Sequence, residues 1–206
     1  MLPRSTSFPA FLIFSLLACT ARSEGIKRME HFDSKLFYSR YHGKEPVVIQ
    51  NTDGLRSATT DIFQTCKDEI VYLTRLPTME EDLAEVSLTN AFAPCGADCY
   101  GVHEAKVCAE VILDLPEGFG EEVWFSIVQK GMETPAVLFE NDYYRYISAG
   151  VEDWRLLTGF EDDTIDLFTQ KPYAEKLVVG DLLYVPPGTL AQHSALTALS
   201  VAVGSS

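Results

Sequence analysis

The stretch Thr134–Leu157, TPAVLFENDYYRYISAGVEDWRLL, restricts the possible folds more than any other. β-Branched and aromatic residues dominate Val137–Ile147 and Trp154–Leu157, so it reads as two strands joined by a turn at Ala149-Gly150. A second stretch, Gly180–Gly204, reads as strand, turn, strand. Its Pro186-Pro187 cannot continue a ladder, and Gly188 permits the reversal. Both are strand-rich, and the apolar runs Leu177–Val185 and Leu196–Val203 suit a sheet covered on both faces.

The rest of the chain adds a strand-rich frame with few helices. Glu30–His42 carries Phe32, Leu36, Phe37 and Tyr41 at helical spacing, with Gly43 as its stop. Glu45–Gln50 predicts a short buried strand closed by a turn at Asn51–Gly54. A helix near Thr60–Lys67, a strand at Glu69–Thr74 and an acidic segment to Val86 follow. Ala93–Val102 predicts a loop, and Lys106–Leu113 fits helix or strand. Glu122–Val128 is a strand, Thr164–Phe168 a short element, and Lys171-Pro172 a breaker.

The residues Thr134-Pro135, Gly150, Trp154, Leu156, Gly180-Asp181, Leu183-Tyr184-Val185 and Pro186 together resemble the frame of the Jumonji C (JmjC) and cupin-like Fe(II)/2-oxoglutarate dioxygenases. The resemblance implies a mainly β fold: a double-stranded β-helix, or jelly roll, with peripheral helices in the N-terminal half. It also implies positions for the metal ligands, which fall on Val137, Phe139 and Ala191. The family lysine that grips 2-oxoglutarate falls on Glu152. None of the three ligand positions carries a donor atom, whereas a two-histidine, one-carboxylate site needs three. Phe139 would fill the metal's space, and Glu152 would repel the cosubstrate.

His193 is the counter-candidate. It lies two residues beyond Ala191, hence on the same strand face and ~6.6 Å further along. With Glu140 or Asp142 it would form a relocated Fe(II) site and restore an oxygenase, of the protein hydroxylase type, using 2-oxoglutarate. That requires a change of register which the intact Trp154 spacing opposes. His31, His42 and His103 read as surface residues. The alternation of Tyr143-Tyr144-Arg145-Tyr146 points some tyrosines out of the core, toward packing or a partner.

Residues 1–23 have the pattern of a secretory signal peptide: Arg4, the apolar run Phe11–Leu17, then small residues to Ala21 and Ser23. Leu16-Leu17-Ala18-Cys19 also fits a lipoprotein site. Residues 24–206 then form one domain, secreted or held in the endoplasmic reticulum lumen. Of the five cysteines, Cys66, Cys95, Cys99 and Cys108 remain after processing, which suits two disulfides. A zinc site using His103 is the other reading of Cys95, Cys99 and Cys108. The net charge of −14 becomes more negative once Arg4 and Arg22 are removed, so nucleic acid and anionic membranes are poor partners. Runs such as Glu80–Asp82 and Glu161–Asp163 read as solvated faces, with weak Ca²⁺ binding as the other possibility. These observations lead to a dioxygenase-like pseudoenzyme with no cofactor, serving as a binding or scaffold module for a protein or small molecule.

Overall fold

The computed structural model describes residues 23–50, 70–75, 80–87, 105–106, 123–131, 133–134, 136–159, 171–197 and 199–205, with backbone alone for 70–75, 80–87, 105–106, most of 123–129 and 199–205. Its strands are β1 (Lys27–Met29), β2 (Val47–Ile49), β3 (Ile70–Arg75), β4 (Glu80–Ser87), β5 (Ala105–Lys106), β6 (Val123–Gln129), β7 (Val137–Phe139), β8 (Tyr143–Ala149), β9 (Val151–Thr158), β10 (Lys171–Val178), β11 (Leu182–Val185), β12 (Thr189–Ala195) and β13 (Leu199–Ser205). They form a seven-stranded sheet in the order β1-β2-β11-β8-β13-β6-β5, a four-stranded sheet β10-β9-β12-β7, and a separate β3-β4 pair. The fold is therefore mainly β, with the strand exchange between two facing sheets that makes a jelly roll.

Consecutive strands change sheets at short turns. β8 belongs to the large sheet and β9 to the small one, and Gly150 between them has φ 83°, a value that favours glycine. Gly188, with φ 70°, makes the reversal after Pro186-Pro187, and its N–H donates to the Phe139 carbonyl at 2.8 Å. Between the sheets lies one core containing Val48, Tyr143, Ile147, Trp154, Leu156, Tyr173, Leu177, Leu183, Val185 and Ala191. Each large side chain there contributes about 1.5–3 kcal/mol by burial.

Several elements differ from the sequence expectation. Val137–Ile147 is two strands, because the polar triplet Glu140-Asn141-Asp142 carries the chain from the small sheet to the large one. Leu177–Val185 is likewise interrupted between β10 and β11. Lys171-Pro172 opens β10 rather than breaking it. β10 is an edge strand, where a proline leaves no interior ladder bond unmade. The acidic segment to Val86 includes β4, which pairs with β3.

The N-terminal helix is short: one α-helical turn, α1 (Ser34–Leu36), widens into a π-type turn, α2 (Phe37–Tyr41). Asp33 caps it by accepting from the Leu36 N–H at 3.0 Å. Phe37 packs edge-on against Tyr184 at 4.9 Å, so this segment covers the outer face of the large sheet. Tyr144 and Tyr146, on the outward row of β8, are buried, and Tyr143 on the inward row is buried in the core between the sheets. Packing, rather than presentation to a partner, accounts for the tyrosine cluster. Before it, Arg28 donates to Glu175 and Asp181 at 2.9–3.1 Å and fastens β1 beside β10.

Candidate functional site

The three positions that resemble metal ligands are neighbours in the fold. β7 and β12 pair antiparallel, with Ala191 opposite Val137 and Thr189 opposite Phe139. Directly opposed residues have Cβ atoms about 4.5–5.5 Å apart. Phe139 is half-buried and stacks on Tyr143 at 4.1 Å, and Ala191 is buried in the core. Val137 lies differently. It is 44% exposed, on the edge strand of the small sheet, so it extends no core.

Glu152 is fully buried, and its surroundings overturn the idea of a repulsive anion. Arg145 of β8 reaches across from the facing sheet and grips it in a fork, Nε to Oε2 at 2.8 Å and Nη2 to Oε1 at 2.7 Å. Trp154 Nε1 donates to the same Oε2 at 2.8 Å. Arg145 also donates to Tyr143 Oη at 3.3 Å and to Ser126 Oγ at 3.2 Å, and it lies 5.3 Å from the Trp154 ring centre. Burial alone would lower the guanidinium pKa, but the Glu152 charge, aided by Tyr143, raises it above its ordinary value. The Glu152 charge is thus balanced inside the roll, and the fork of Arg145 is engaged by the protein's own carboxylate.

This pair was hidden from motif reasoning but not from alternation. Tyr143, Arg145 and Ile147 occupy every second position of β8, and both apolar members face the core. A cation in that row must find a buried anion. Glu152 alternates with Trp154 and Leu156 in the same way.

His193 stands opposite Trp154 in the ladder and stacks flat on it, with centroids 4.3 Å apart and an interplanar angle of 3°. Its Nδ1 lies 3.2 Å from Thr134 Oγ1, and that hydroxyl donates to the His193 carbonyl at 3.1 Å while accepting from the His193 N–H at 3.0 Å. Nε2 is buried with no partner, as is the Thr189 hydroxyl. Each such atom costs about 1–3 kcal/mol if left dry. Burial first, then the Arg145 charge, with Glu152 opposing, lowers the imidazole pKa to about 3.

The relocated set is not brought together. Glu140 is exposed. Asp142 accepts from Tyr184 Oη at 2.5 Å and lies 3.3 Å from His42 Nε2, in the aromatic cluster under α2. Burial, then that hydrogen bond to Asp142, pushes the Tyr184 phenol above its ordinary range. Among the described residues no three His, Cys, Asp or Glu side chains converge as metal ligands. Val137, Phe139 and Ala191 carry no donor atoms and do not fit Fe(II). His31 is exposed and His42 half-buried. Cys66, Cys95, Cys99, Cys108 and His103 lie outside the described residues, as do the expected helix at 60–67, the loop at 93–102 and the element at 164–168.

No family model matches the sequence, and no curated protein matches it. Solved structures do. An X-ray structure of E. coli ycfD aligns with a TM-score of 0.54 and 17% identity over 86% of this chain and 54% of that one. A structure of YcfD described as a ribosomal oxygenase from Escherichia coli aligns with a TM-score of 0.51 and 18% identity, over 86% of this chain and 53% of that one. The chain thus spans about half the length of these structures. At this identity the likeness shows the fold, a JmjC-like cupin jelly roll.

Proposed function

We propose that this chain is an exported JmjC-like roll that has lost dioxygenase chemistry and serves as a binding or scaffold module. The supporting observation is the chemistry of the site. Val137, Phe139 and Ala191 are adjacent in the β7–β12 ladder and carry no donor atoms, while Glu152 engages Arg145. The signal-like N-terminus and the four cysteines left after processing favour a secreted or luminal, disulfide-bonded form. The acidic surface favours a protein or small-molecule partner over nucleic acid.

An oxygenase with relocated ligands has one observation in its favour, the unpartnered Nε2 of His193. Against it, Asp142 is held by Tyr184 and His42, and Glu140 is exposed. Calorimetric titration of the mature protein with Mn(II), alone and with 2-oxoglutarate, separates the two. The expected result is no stoichiometric heat. Stoichiometric binding abolished by His193→Ala would establish the oxygenase-type site instead.

A further inference from the structure

We propose that the amino-terminal segment Glu24–Met29 is a strap that opens as one unit while the rest of the roll stays folded, uncovering the edge of β10. The segment crosses from one sheet to the other. Glu24 forms a bridge with Tyr173 of β10, at the rim of the small sheet, and Lys27–Met29 is β1, at the rim of the large one. Between them Ile26 turns into the core cluster and is 4% exposed.

The edge that the strap covers is read from alternate residues of β10. Pro172 has no N–H to leave unpaired, and its carbonyl accepts from the Glu24 N–H at 3.1 Å. The Ala174 N–H donates to the Glu24 carbonyl at 3.0 Å. At Lys176 a side chain stands in for a strand, because the carbonyl accepts from Arg28 Nη2 at 2.9 Å. The Val178 N–H is satisfied without the strap, by Asp181 Oδ2 at 3.0 Å. The strap therefore engages the outward groups of Pro172, Ala174 and Lys176, and its release leaves them as an open strand edge.

What holds the strap differs from what holds the roll. Arg28, its side chain 30% exposed, pairs with Glu175 at 2.9 Å and Asp181 at 3.0 Å, so salt reaches and screens both pairs. Glu175 also accepts from the Ile26 N–H at 3.2 Å, a carboxylate taking the place of a ladder partner in mid-strap. Ile26 and Met29 are its buried side chains. Their burial is set against the backbone entropy that the strap regains on release. The sheets beneath are joined independently, by the buried Arg145–Glu152 fork between β8 and β9.

The test is native-state hydrogen exchange on the mature chain, read at single amides. Ala174 donates to the Glu24 carbonyl, and Gln50 donates to the Met29 carbonyl at 2.8 Å, so these amides report the two ends of the strap. Gly43, which donates to Tyr184 Oη, and Gly188, which donates to the Phe139 carbonyl, report the helical cover and the far side of the roll. The expected result is equal protection at Ala174 and Gln50, about tenfold or more below that set by global unfolding in urea. Arg28→Gln lowers both about tenfold and Ile26→Ala about thirtyfold, with Gly43 and Gly188 unchanged. Salt at about 1 M lowers both in the parent and has no further effect in Arg28→Gln. Exchange of Ala174 only by global unfolding overturns the proposal. Unequal protection of Ala174 and Gln50 overturns it too, since the end at Glu24 would then fray by itself. Both of these outcomes are read on the unsubstituted chain, so they decide even where a variant fails to fold.

Discussion

Replacing Glu152 by Gln keeps the shape of the side chain and removes its charge. Arg145, 2% exposed, is then a buried cation without a counter-ion. Guanidinium does not give up its proton, so it has no means of neutralising itself. Breaking such a pair from one side costs about 3–5 kcal/mol, against a total stability of about 5–15 kcal/mol for a domain. At about 2–4 °C per kcal/mol for a chain of this size, the melting temperature falls by about 6–20 °C. Arg145→Met should cost less, because the stranded carboxylate takes up a proton when buried unpaired. In that variant the folded state binds more protons than the unfolded one, so stability falls as pH rises. The pair Arg145→Met with Glu152→Met leaves unmade only the bonds that Ser126 and Tyr143 accept from Arg145 and the one that Trp154 donates to Glu152, at about 1 kcal/mol each. Urea unfolding of the four proteins as a double-mutant cycle should return a coupling of about 3 kcal/mol. Single variants within about 1 kcal/mol of the parent, or strictly additive ones, would refute a paired interior charge.

Three further outcomes are expected. The folded His193 pKa of about 3 lies below the unfolded value of about 6.5, so the unfolded chain binds the proton first. Stability should be level above about pH 6.5 and fall by up to about 1.4 kcal/mol per pH unit toward pH 3, and His193→Phe should remove that slope in urea unfolding. The combined change Val137→His, Phe139→Asp, Ala191→His should create Mn(II) binding measurable by calorimetry, at several kcal/mol of stability. Adding Glu152→Lys should unfold that variant rather than admit 2-oxoglutarate, because the new cation would face Arg145. In intact-mass analysis of the unreduced exported protein, no cysteine should take up alkylating reagent; two or more modified cysteines would exclude the disulfide reading.

The roll was legible where local signals and the frame agreed. Gly150, the Pro186-Pro187-Gly188 turn and the apolar runs around them lie where the chain turns or crosses between sheets. What escaped were features decided by the neighbours of a strand. Pro172 is tolerated because β10 is an edge, and Tyr144 is buried because Phe37 and Tyr184 pack over the outer sheet. Neither fact is local. The same holds for the site: spacing found the adjacency of Val137, Phe139 and Ala191, but only the facing sheets reveal that Arg145 balances Glu152.

That balance explains how the roll keeps its fold without donors at the three ligand positions. The positions lie on β7 and β12, strands of one sheet already joined by their own ladder. A metal there would tie together elements that backbone hydrogen bonds hold anyway. The Arg145–Glu152 fork instead links β8 to β9, one strand from each sheet, across the interior. It works with the core between the sheets, where Trp154 touches both charges and carries His193 stacked on it. Substitution at Val137 on β7 should therefore be tolerated in a way that loss of Glu152 is not. The stability of this roll should respond steeply to substitutions on the inward faces of β8 and β9 and weakly to Val137→Ala at the exposed edge.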